Sequence, residues 1–248
     1  MCLIVFAWRP AHGQPLIVAA NRDEFYARPT QALAQWADAP QVYAGRDLEA
    51  GGTWLGVSAG GRFAALTNIR DPKLPLGRRS RGELGAQFLT SDALIEDYLT
   101  DIAQKAGEYG GFNLLVGDGA QLWYLNSGDA QPLQLEEGIY GLSNAGLDTP
   151  WPKLVKTRAG LAAHLHNPDP AALIALLNDP APAPLAELPD TGVGLATETL
   201  LSSTFIASPN YGTRASTVLV VNADGSQRFV EHSFGPYGGR LGEVDLRI

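Results

Sequence analysis

The stretches MCLIVFAW (residues 1–8) and PLIVAANRDE (residues 15–24) are two short apolar runs separated by the polar segment RPAHGQ (9–14). Short runs rich in branched and aromatic residues, bounded by turn residues, are typical of buried strands. The two stretches therefore predict a β-hairpin. The polar end of its second strand then lies beside the start of the first, where Cys2 stands.

Working outward, the apolar pattern predicts more strands in hairpins and helices in two pairs. The strands are predicted over 51–72, 112–126, 133–144, 201–208 and 216–234, with turns at Gly60-Gly61, Asp118-Gly119 and Asp224-Gly225. The helices are predicted over 81–90 after a Ser80 cap, 92–106 after a Ser91 cap, 150–166 and 170–179, followed by a proline-rich loop over 180–190. We therefore expect an α+β fold, a four-layer αββα sandwich of two antiparallel sheets flanked by helices, over a single domain, 1–248.

Composition limits the function classes. The net charge of −8 and the shortness of the densest basic run, RDPKLPLGRRSR (70–81), argue against nucleic-acid binding. A single cysteine excludes an intramolecular disulfide and a multi-cysteine metal site. No apolar run approaches the roughly 18 residues of a membrane span, and no signal peptide is recognisable. We expect a cytoplasmic protein with no metal, no cofactor and no membrane span.

That single cysteine, Cys2, follows the initiator methionine directly. If Met1 is removed, Cys2 carries a thiol and an α-amine on one carbon. An α-amine with a pKa of about 7.7–8.0 is partly neutral near neutrality, so it can take the thiol proton. The alternative is that Cys2 is a buried apolar residue at the start of a strand.

The second clue is the polar end of the hairpin, NRDE (21–24). Strand alternation places Asn21 and Asp23 on one face, and Arg22 and Glu24 on the other. A carboxylate near an α-amine stabilises and orients it. The alternative is a strand end that forms a surface salt bridge.

Seven segments together resemble the NRDE family, whose animal member is the transport and Golgi organisation protein 2. They are MCLI (1–4), NRDEF (21–25), GGTWLG (51–56), TNIRDP (67–72), GFNLL (111–115), GLSNAGLDTPWPK (141–153) and NYGTRASTVLVV (210–221). The family is in turn similar to the choloylglycine hydrolases and penicillin V acylases. Those are cysteine amidases of the N-terminal-nucleophile (Ntn) hydrolase class, with the αββα fold.

This resemblance implies a role for five residues. Cys2 matches the nucleophile and Asp23 the aspartate that holds the α-amine. Asn68 and Asn144 match asparagines at the oxyanion or acyl group, and Arg214 matches an arginine that lowers the thiol pKa. Taken singly, the asparagines could instead cap turns, and Arg214 could form an ion pair.

One position departs from the amidases, which carry an arginine where this chain has Ala20. Arg22 is adjacent, but alternation directs it to the face opposite Asp23. We assign Asn21, Arg22 and Trp54 to substrate binding, with a core role as the alternative for Trp54.

Three functions remain open. The first is a cysteine Ntn hydrolase that cleaves a linear amide, such as an N-acyl amine or N-acyl amino acid, after removal of Met1. The second is a non-catalytic binding or trafficking protein for an acyl-containing small molecule, acyl-CoA, lipid or haem, with Cys2 as a soft ligand of haem iron. The third is a scaffold without a small-molecule site, for which converging polar side chains are not needed. The sequence does not define the oligomeric state.

Overall fold

The computed structural model describes residues 2–9 and 11–248, which form thirteen strands and five α-helices. They divide into two compact units. The first comprises the described residues up to Ala27, Arg70–Pro72 and Glu137–Ile248; the second comprises Arg28–Ile69 and Lys73–Glu136.

The strands and helices are numbered separately in chain order. The strands are β1 (Cys2–Trp8), β2 (Leu16–Phe25), β3 (Thr30–Gln35), β4 (Val42–Asp47), β5 (Leu55–Ser58), β6 (Phe63–Asn68), β7 (Phe112–Gly117), β8 (Leu122–Asn126), β9 (Leu133–Gln134), β10 (Gly138–Leu142), β11 (Tyr211–Val221), β12 (Gln227–Phe234) and β13 (Arg240–Arg247). The helices are α1 (Gly82–Thr90), α2 (Ile95–Gln104), α3 (Pro152–His164), α4 (Pro170–Leu176) and α5 (Leu195–Leu201). Among these helices, none has the length and apolarity that crossing a bilayer requires.

The first unit is built on an antiparallel sheet in the order β10-β1-β2-β11-β12-β13. β1 and β2 pair over their whole facing length, so the predicted hairpin is confirmed. Val5, Ala19 and Val218 lie on one face and pack against Leu161 of α3 and Leu173 of α4. Since alternate residues point to opposite faces, Cys2, an odd number of positions from Val5, lies on the face away from these two helices.

The second unit is built on an antiparallel sheet in the order β3-β4-β5-β6-β7-β8-β9. One face packs against α1 and α2 through Leu84, Phe88, Leu99, Leu114 and Val116. This buried core combines the helical spacing of the two helices with alternate strand residues.

The other face of this second sheet carries a buried set of uncharged polar groups, which we call the amide network. Asn113 Nδ2 donates to Thr67 Oγ1 (3.0 Å), and Asn113 Oδ1 accepts from Tyr124 Oη (2.6 Å) and Asn126 Nδ2 (2.8 Å). Asn113 and Thr67 are fully buried, so these hydrogen bonds replace the water that both side chains lose on folding.

Several predicted elements are wrong. Ser91 does not begin a helix: it follows α1, its hydroxyl donates to the Phe88 carbonyl (3.3 Å), and α2 starts four residues later. The predicted strand over 201–208 begins at the last residue of α5 and continues as turns, with one isolated bridge between Ala207 and Gly212. Gly194, with φ +85°, supplies the turn that precedes α5.

Strands β3, β4 and β13 were not predicted from the sequence. β13 is mostly exposed, and its polar and apolar residues alternate without a buried stripe. An apolar pattern cannot indicate a strand that buries little apolar surface.

Candidate active site

The site is built where β1 begins and β2 ends. In the antiparallel register, Cys2 lies opposite Arg22 and Leu3 lies opposite Asn21. Directly opposed residues share a face, so Arg22 is on the face of Cys2 while Asp23 is on the other. Ala20 shares the face of Arg22, so Arg22 supplies a cation on the face that carries Cys2.

The loop after β10 forms hydrogen bonds with both the N–H and the carbonyl group of Cys2. The Cys2 amide N–H donates to Asn144 Oδ1 (3.4 Å), and the Ser143 hydroxyl donates to the Cys2 carbonyl (3.1 Å). Asn144 is fully buried, and its own carbonyl accepts from the Arg70 amide (2.7 Å). The structure therefore brings Asn144 to Cys2, across 142 positions of sequence.

The carboxylate of Asp23 is almost completely buried, at 1% exposure. Its Oδ1 accepts from Thr213 Oγ1 (2.7 Å), and its backbone carbonyl accepts from Tyr211 Oη (3.2 Å). A β-bulge in β11 sets this arrangement: Thr213 pairs with Asp23, Ala215 pairs with Arg22, and Arg214 is the inserted residue. Burial raises the pKa of Asp23, while the charge of Lys153 is the strongest influence lowering it.

Lys153, in the first turn of α3, is a buried cation that sequence reasoning missed. It is 5% exposed, and its Nζ donates to the Leu201 carbonyl (2.8 Å). Burial lowers the pKa of Lys153 to about 8, opposed first by the charge of Asp23. The available signal was its place in the buried helical stripe with Leu154, Thr157 and Leu161.

A second buried cation, Arg70, forms an ion pair with Glu198 on α5, and both side chains are nearly inaccessible. The guanidinium also lies over the Trp151 ring, 4.3 Å from its centroid. Glu198 Oε1 accepts from the amide (2.9 Å) and the hydroxyl (2.6 Å) of Thr191. These contacts fix the segment that donates to Asn144.

The pKa of the Cys2 thiol is subject to opposing influences. Burial raises its pKa, the charge of Asp23 raises it further, and Arg22 lowers it. The pKa of Tyr211 is also raised by burial, and next by the charge of Asp23, so its hydroxyl remains a neutral donor. Because the resting thiol is protonated near neutral pH, nucleophilic attack needs a nearby base.

Two other predicted residues of the first unit make contacts elsewhere. Asn21 Nδ2 donates to the carbonyls of Leu177 (2.9 Å) and Thr204 (2.7 Å), which ties β2 to the segments after α4 and α5. Arg214 Nη1 donates to the carbonyls of Phe25 (2.9 Å) and Tyr26 (3.3 Å). Their assigned roles in binding and in thiol activation stay predictions.

Asn68 and Trp54 belong to the second unit. Asn68 ends β6, and its Nδ2 donates to the Ile69 carbonyl (3.3 Å). Trp54 is 9% exposed, and its ring fills the space where a Cβ on Gly45 would lie. Their roles as oxyanion donor and pocket residue also stay predictions.

Comparison with known proteins identifies the family. The family model described as Transport and Golgi organisation 2 matches residues 1–236. The "Transport and Golgi organization protein 2 homolog" of Bos taurus is 40% identical over 94% of this chain and 93% of the relative. The homologue of Homo sapiens is 38% identical with the same coverage. The chain therefore belongs to the Transport and Golgi organisation 2 family, as the sequence motifs predicted.

Among solved structures, the mutant C2A conjugated bile acid hydrolase from Clostridium perfringens is similar in fold. The TM-score is 0.54 at 8% sequence identity, with 100% of this chain and 92% of that chain covered. This likeness confirms the predicted fold class, an α+β sandwich of two antiparallel sheets with helices.

Proposed function

We propose that this protein is a cysteine Ntn hydrolase that cleaves a linear amide of the N-acyl amine or N-acyl amino acid type once Met1 is removed. Its ligand is an acyl-containing small molecule. Cys2 is the nucleophile, its α-amine the base, Asp23 the residue that orients the amine, and Asn144 a donor to the oxyanion.

The observation that carries this proposal is the set of groups that converge on Cys2. A buried carboxylate held by Thr213 lies one residue from Arg22, which faces the thiol. The loop of Ser143 and Asn144 fixes the backbone of the same cysteine. Perturbed titratable groups gathered around one nucleophile are typical of an active site.

The reaction follows from ordinary acyl-transfer chemistry. The neutral α-amine takes the thiol proton as sulfur attacks the amide carbonyl carbon, and the Asn144 side-chain N–H stabilises the resulting oxyanion. The ammonium then returns the proton to the leaving nitrogen, and the C–N bond breaks to leave a thioester. Water, deprotonated by the same amine, attacks the thioester carbonyl, so a carboxylic acid and the free thiol are released.

Two further observations support this assignment. The similar Clostridium perfringens protein is a hydrolase of conjugated bile acids, and its structure is that of a variant with alanine for its second-position cysteine. In this chain the only cysteine also stands at position 2.

The names of the relatives refer to transport and Golgi organisation, which favours the binding alternative. In that case the same groups would hold an acyl-containing ligand without cleaving it. The raised pKa of the Cys2 thiol is compatible with a cysteine that does not react. Turnover is therefore the property that distinguishes the hydrolase from the binding protein.

The test is turnover of a panel of N-acyl amines and N-acyl amino acids by untagged protein whose intact mass shows loss of Met1. Cys2→Ala is expected to lower turnover at least about 1000-fold and to abolish a covalent acyl adduct seen by mass spectrometry. A matched form with an N-terminal extension keeps the thiol but ties its nitrogen into a peptide bond, and should be equally inactive. Equal turnover by wild type and Cys2→Ala, or no turnover by wild type across the panel, would exclude the hydrolase.

A further inference from the structure

We propose that Thr213 is a positioning residue of this site. Its hydroxyl fixes the carboxylate of Asp23, so that Asp23 can orient the α-amine of Cys2 once Met1 is removed. This inference rests on the proposed function and adds one residue to it. Thr213 acts through Asp23 and does not contact substrate.

A direct hydrogen bond joins the two side chains. Thr213 Oγ1 donates to Asp23 Oδ1 over 2.7 Å. Thr213 is 0% exposed and Asp23 is 1% exposed. A buried carboxylate needs donors that replace the water it loses on folding, and a hydrogen bond to an ionised group is stronger than one between neutral groups. The Thr213 hydroxyl therefore holds one carboxylate oxygen in place.

A second contact fixes the direction in which this hydroxyl donates. The Ile206 amide donates to Thr213 Oγ1 (2.9 Å), and the Thr213 amide donates to the Ile206 carbonyl (2.8 Å). A hydroxyl has only one hydrogen to give. The Thr213 oxygen accepts from Ile206 and gives its one hydrogen to Asp23 Oδ1. The segment after α5 thus keeps the hydroxyl as a donor to the carboxylate.

The backbone of β11 supports the same arrangement. Thr213 pairs with Asp23 in the register, and the β-bulge begins directly after Thr213. A Cβ on the preceding residue, Gly212, would come within 2.3 Å of the Ile206 carbonyl oxygen, so this close approach requires glycine. Tyr211 Oη donates to the Asp23 carbonyl (3.2 Å). Strand β11 therefore fixes both the main chain and the carboxylate of Asp23.

This carboxylate belongs to the end of the hairpin where the Cys2 nitrogen lies. Cys2 pairs with Arg22 in an antiparallel register, so the nitrogen side of Cys2 faces the direction in which β2 continues to Asp23. The side-chain charges that act on Asp23 are those of Lys153 on α3 and Arg22 on β2. A hydrogen bond is directional, so we assign the orientation of the carboxylate to Thr213.

The consequence concerns the base of the reaction. A carboxylate beside an α-amine stabilises the ammonium form, and a displaced carboxylate does so less. Loss of the Thr213 hydroxyl is therefore expected to lower the titration midpoint of the amine. A displaced amine also slows proton transfer, because small errors in placing a reacting group are costly. This loss concerns the chemical step, so it should affect kcat and leave KM unchanged.

The experiment compares two substitutions of Thr213. Thr213→Val keeps the branched shape but lacks the hydroxyl, and Thr213→Ser keeps the hydroxyl. Each protein begins at Cys2, as its intact mass must show, and carries ¹³C-labelled cysteine. Cys2 is the only cysteine in the chain, so the NMR signals of its Cα and Cβ report the titration of one amine and one thiol. This measurement needs no substrate.

The matched control is Thr217→Val. Thr217 lies on the same strand and is 3% exposed, and its hydroxyl also donates to a buried carboxylate, that of Glu231 (3.4 Å). The control therefore removes the same group from the same kind of contact without removing a hydrogen bond to Asp23.

The amine midpoint is expected to fall by about one pH unit in Thr213→Val. Thr213→Ser and Thr217→Val should match wild type. In turnover assays, kcat should fall about 10-fold in Thr213→Val with KM unchanged. An unchanged midpoint in Thr213→Val, or an equal shift in Thr217→Val, would overturn the role of Thr213. This holds even if kcat falls, because a loss without a shift would indicate a purely structural residue.

If Thr213→Val does not fold, the double variant Asp23→Asn/Thr213→Val also removes the carboxylate that needs a donor. Recovery of folding supports the bond between hydroxyl and carboxylate. Failure of the double variant overturns the proposal, because the hydroxyl would then serve the Ile206 amide. The two proposals fail separately. A shifted midpoint without wild-type turnover would remove the hydrolase alone, whereas turnover that depends on Cys2 with an unshifted midpoint would remove the Thr213 role alone.

Discussion

The two units of this protein each bury a polar cluster, and the clusters differ in charge. In the second unit, the amide network joins Asn113, Tyr124 and Asn126 through uncharged groups. In the first unit, the cluster around Cys2 is charged; we call Arg22, Asp23, Arg70, Lys153 and Glu198 the charged cluster. Uncharged groups that hydrogen-bond to one another need no proton exchange, whereas burial raises the pKa of Asp23 and lowers the pKa values of Arg70 and Lys153. This difference is expected if the amide network supports structure and the charged cluster supports the proposed chemistry.

The largest expected effect comes from breaking the ion pair of the charged cluster. Arg70→Met leaves the Glu198 carboxylate buried without its cation, and should lower the free energy of unfolding by about 3–5 kcal/mol. Chemical denaturation measures this change. The control is Arg228→Met, which removes a partly exposed pair with Asp245 and should cost less than about 1 kcal/mol. Equal losses of unfolding free energy in the two variants would contradict the greater contribution that we assign to the buried Arg70–Glu198 pair.

The next prediction concerns the pH dependence of stability that Lys153 gives to the charged cluster. The pKa of Lys153 is about 8 in the folded state and ordinarily 10.5, so between these values the unfolded chain binds the extra proton. Stability from this group therefore rises with pH across the window. At about 1.4 kcal/mol per pKa unit, wild type should gain roughly 3 kcal/mol relative to Lys153→Met between pH 8 and pH 10.5.

Urea denaturation of the two proteins at several pH values across this window measures the difference. Lys156→Met, at an exposed position on the same helix, should follow wild type. A constant difference between wild type and Lys153→Met would show that Lys153 does not titrate in the folded protein.

The smallest effect tests the amide network. Asn113→Ala removes the side chain that hydrogen-bonds to the hydroxyls of both Tyr124 and Thr67. It should lower the free energy of unfolding by about 2 kcal/mol. This loss should be the same at pH 7 and pH 9, because no charge is involved. Asn222→Ala removes an exposed hydrogen bond to Ser226. It should lower the free energy of unfolding by only roughly a few tenths of a kcal/mol. A pH-dependent loss for Asn113→Ala would break the distinction between the two clusters.

The hairpin that carries Cys2 could be predicted because its signal is local. Two apolar runs and one polar turn define β1 and β2, and their pairing brings residue 22 to residue 2. The roles of Lys153, Arg70 and Glu198 could not be predicted in this way. Charged side chains are ordinarily exposed, and Arg70 and Glu198 lie 128 positions apart in the chain, so their burial depends on long-range contacts.

Asn21 shows the converse difficulty. It belongs to the motif that indicates the site, yet its side chain holds the carbonyls of Leu177 and Thr204. A motif identifies positions under a common constraint but does not separate chemistry from architecture. The β-bulge at Arg214 was also hidden, because an inserted residue alters which side chains face each other without altering composition.

The hydrogen bond from the Cys2 amide to Asn144 has a consequence for the order of events during synthesis. The two residues are 142 positions apart, so at about 5–20 residues per second the ribosome adds Asn144 roughly 7–28 s after Cys2. During that interval the start of the nascent chain has no Asn144 to bind it. For the proposed hydrolase, the removal of residue 1 that its mechanism requires can therefore take place before the loop that hydrogen-bonds the backbone of Cys2 has been synthesised.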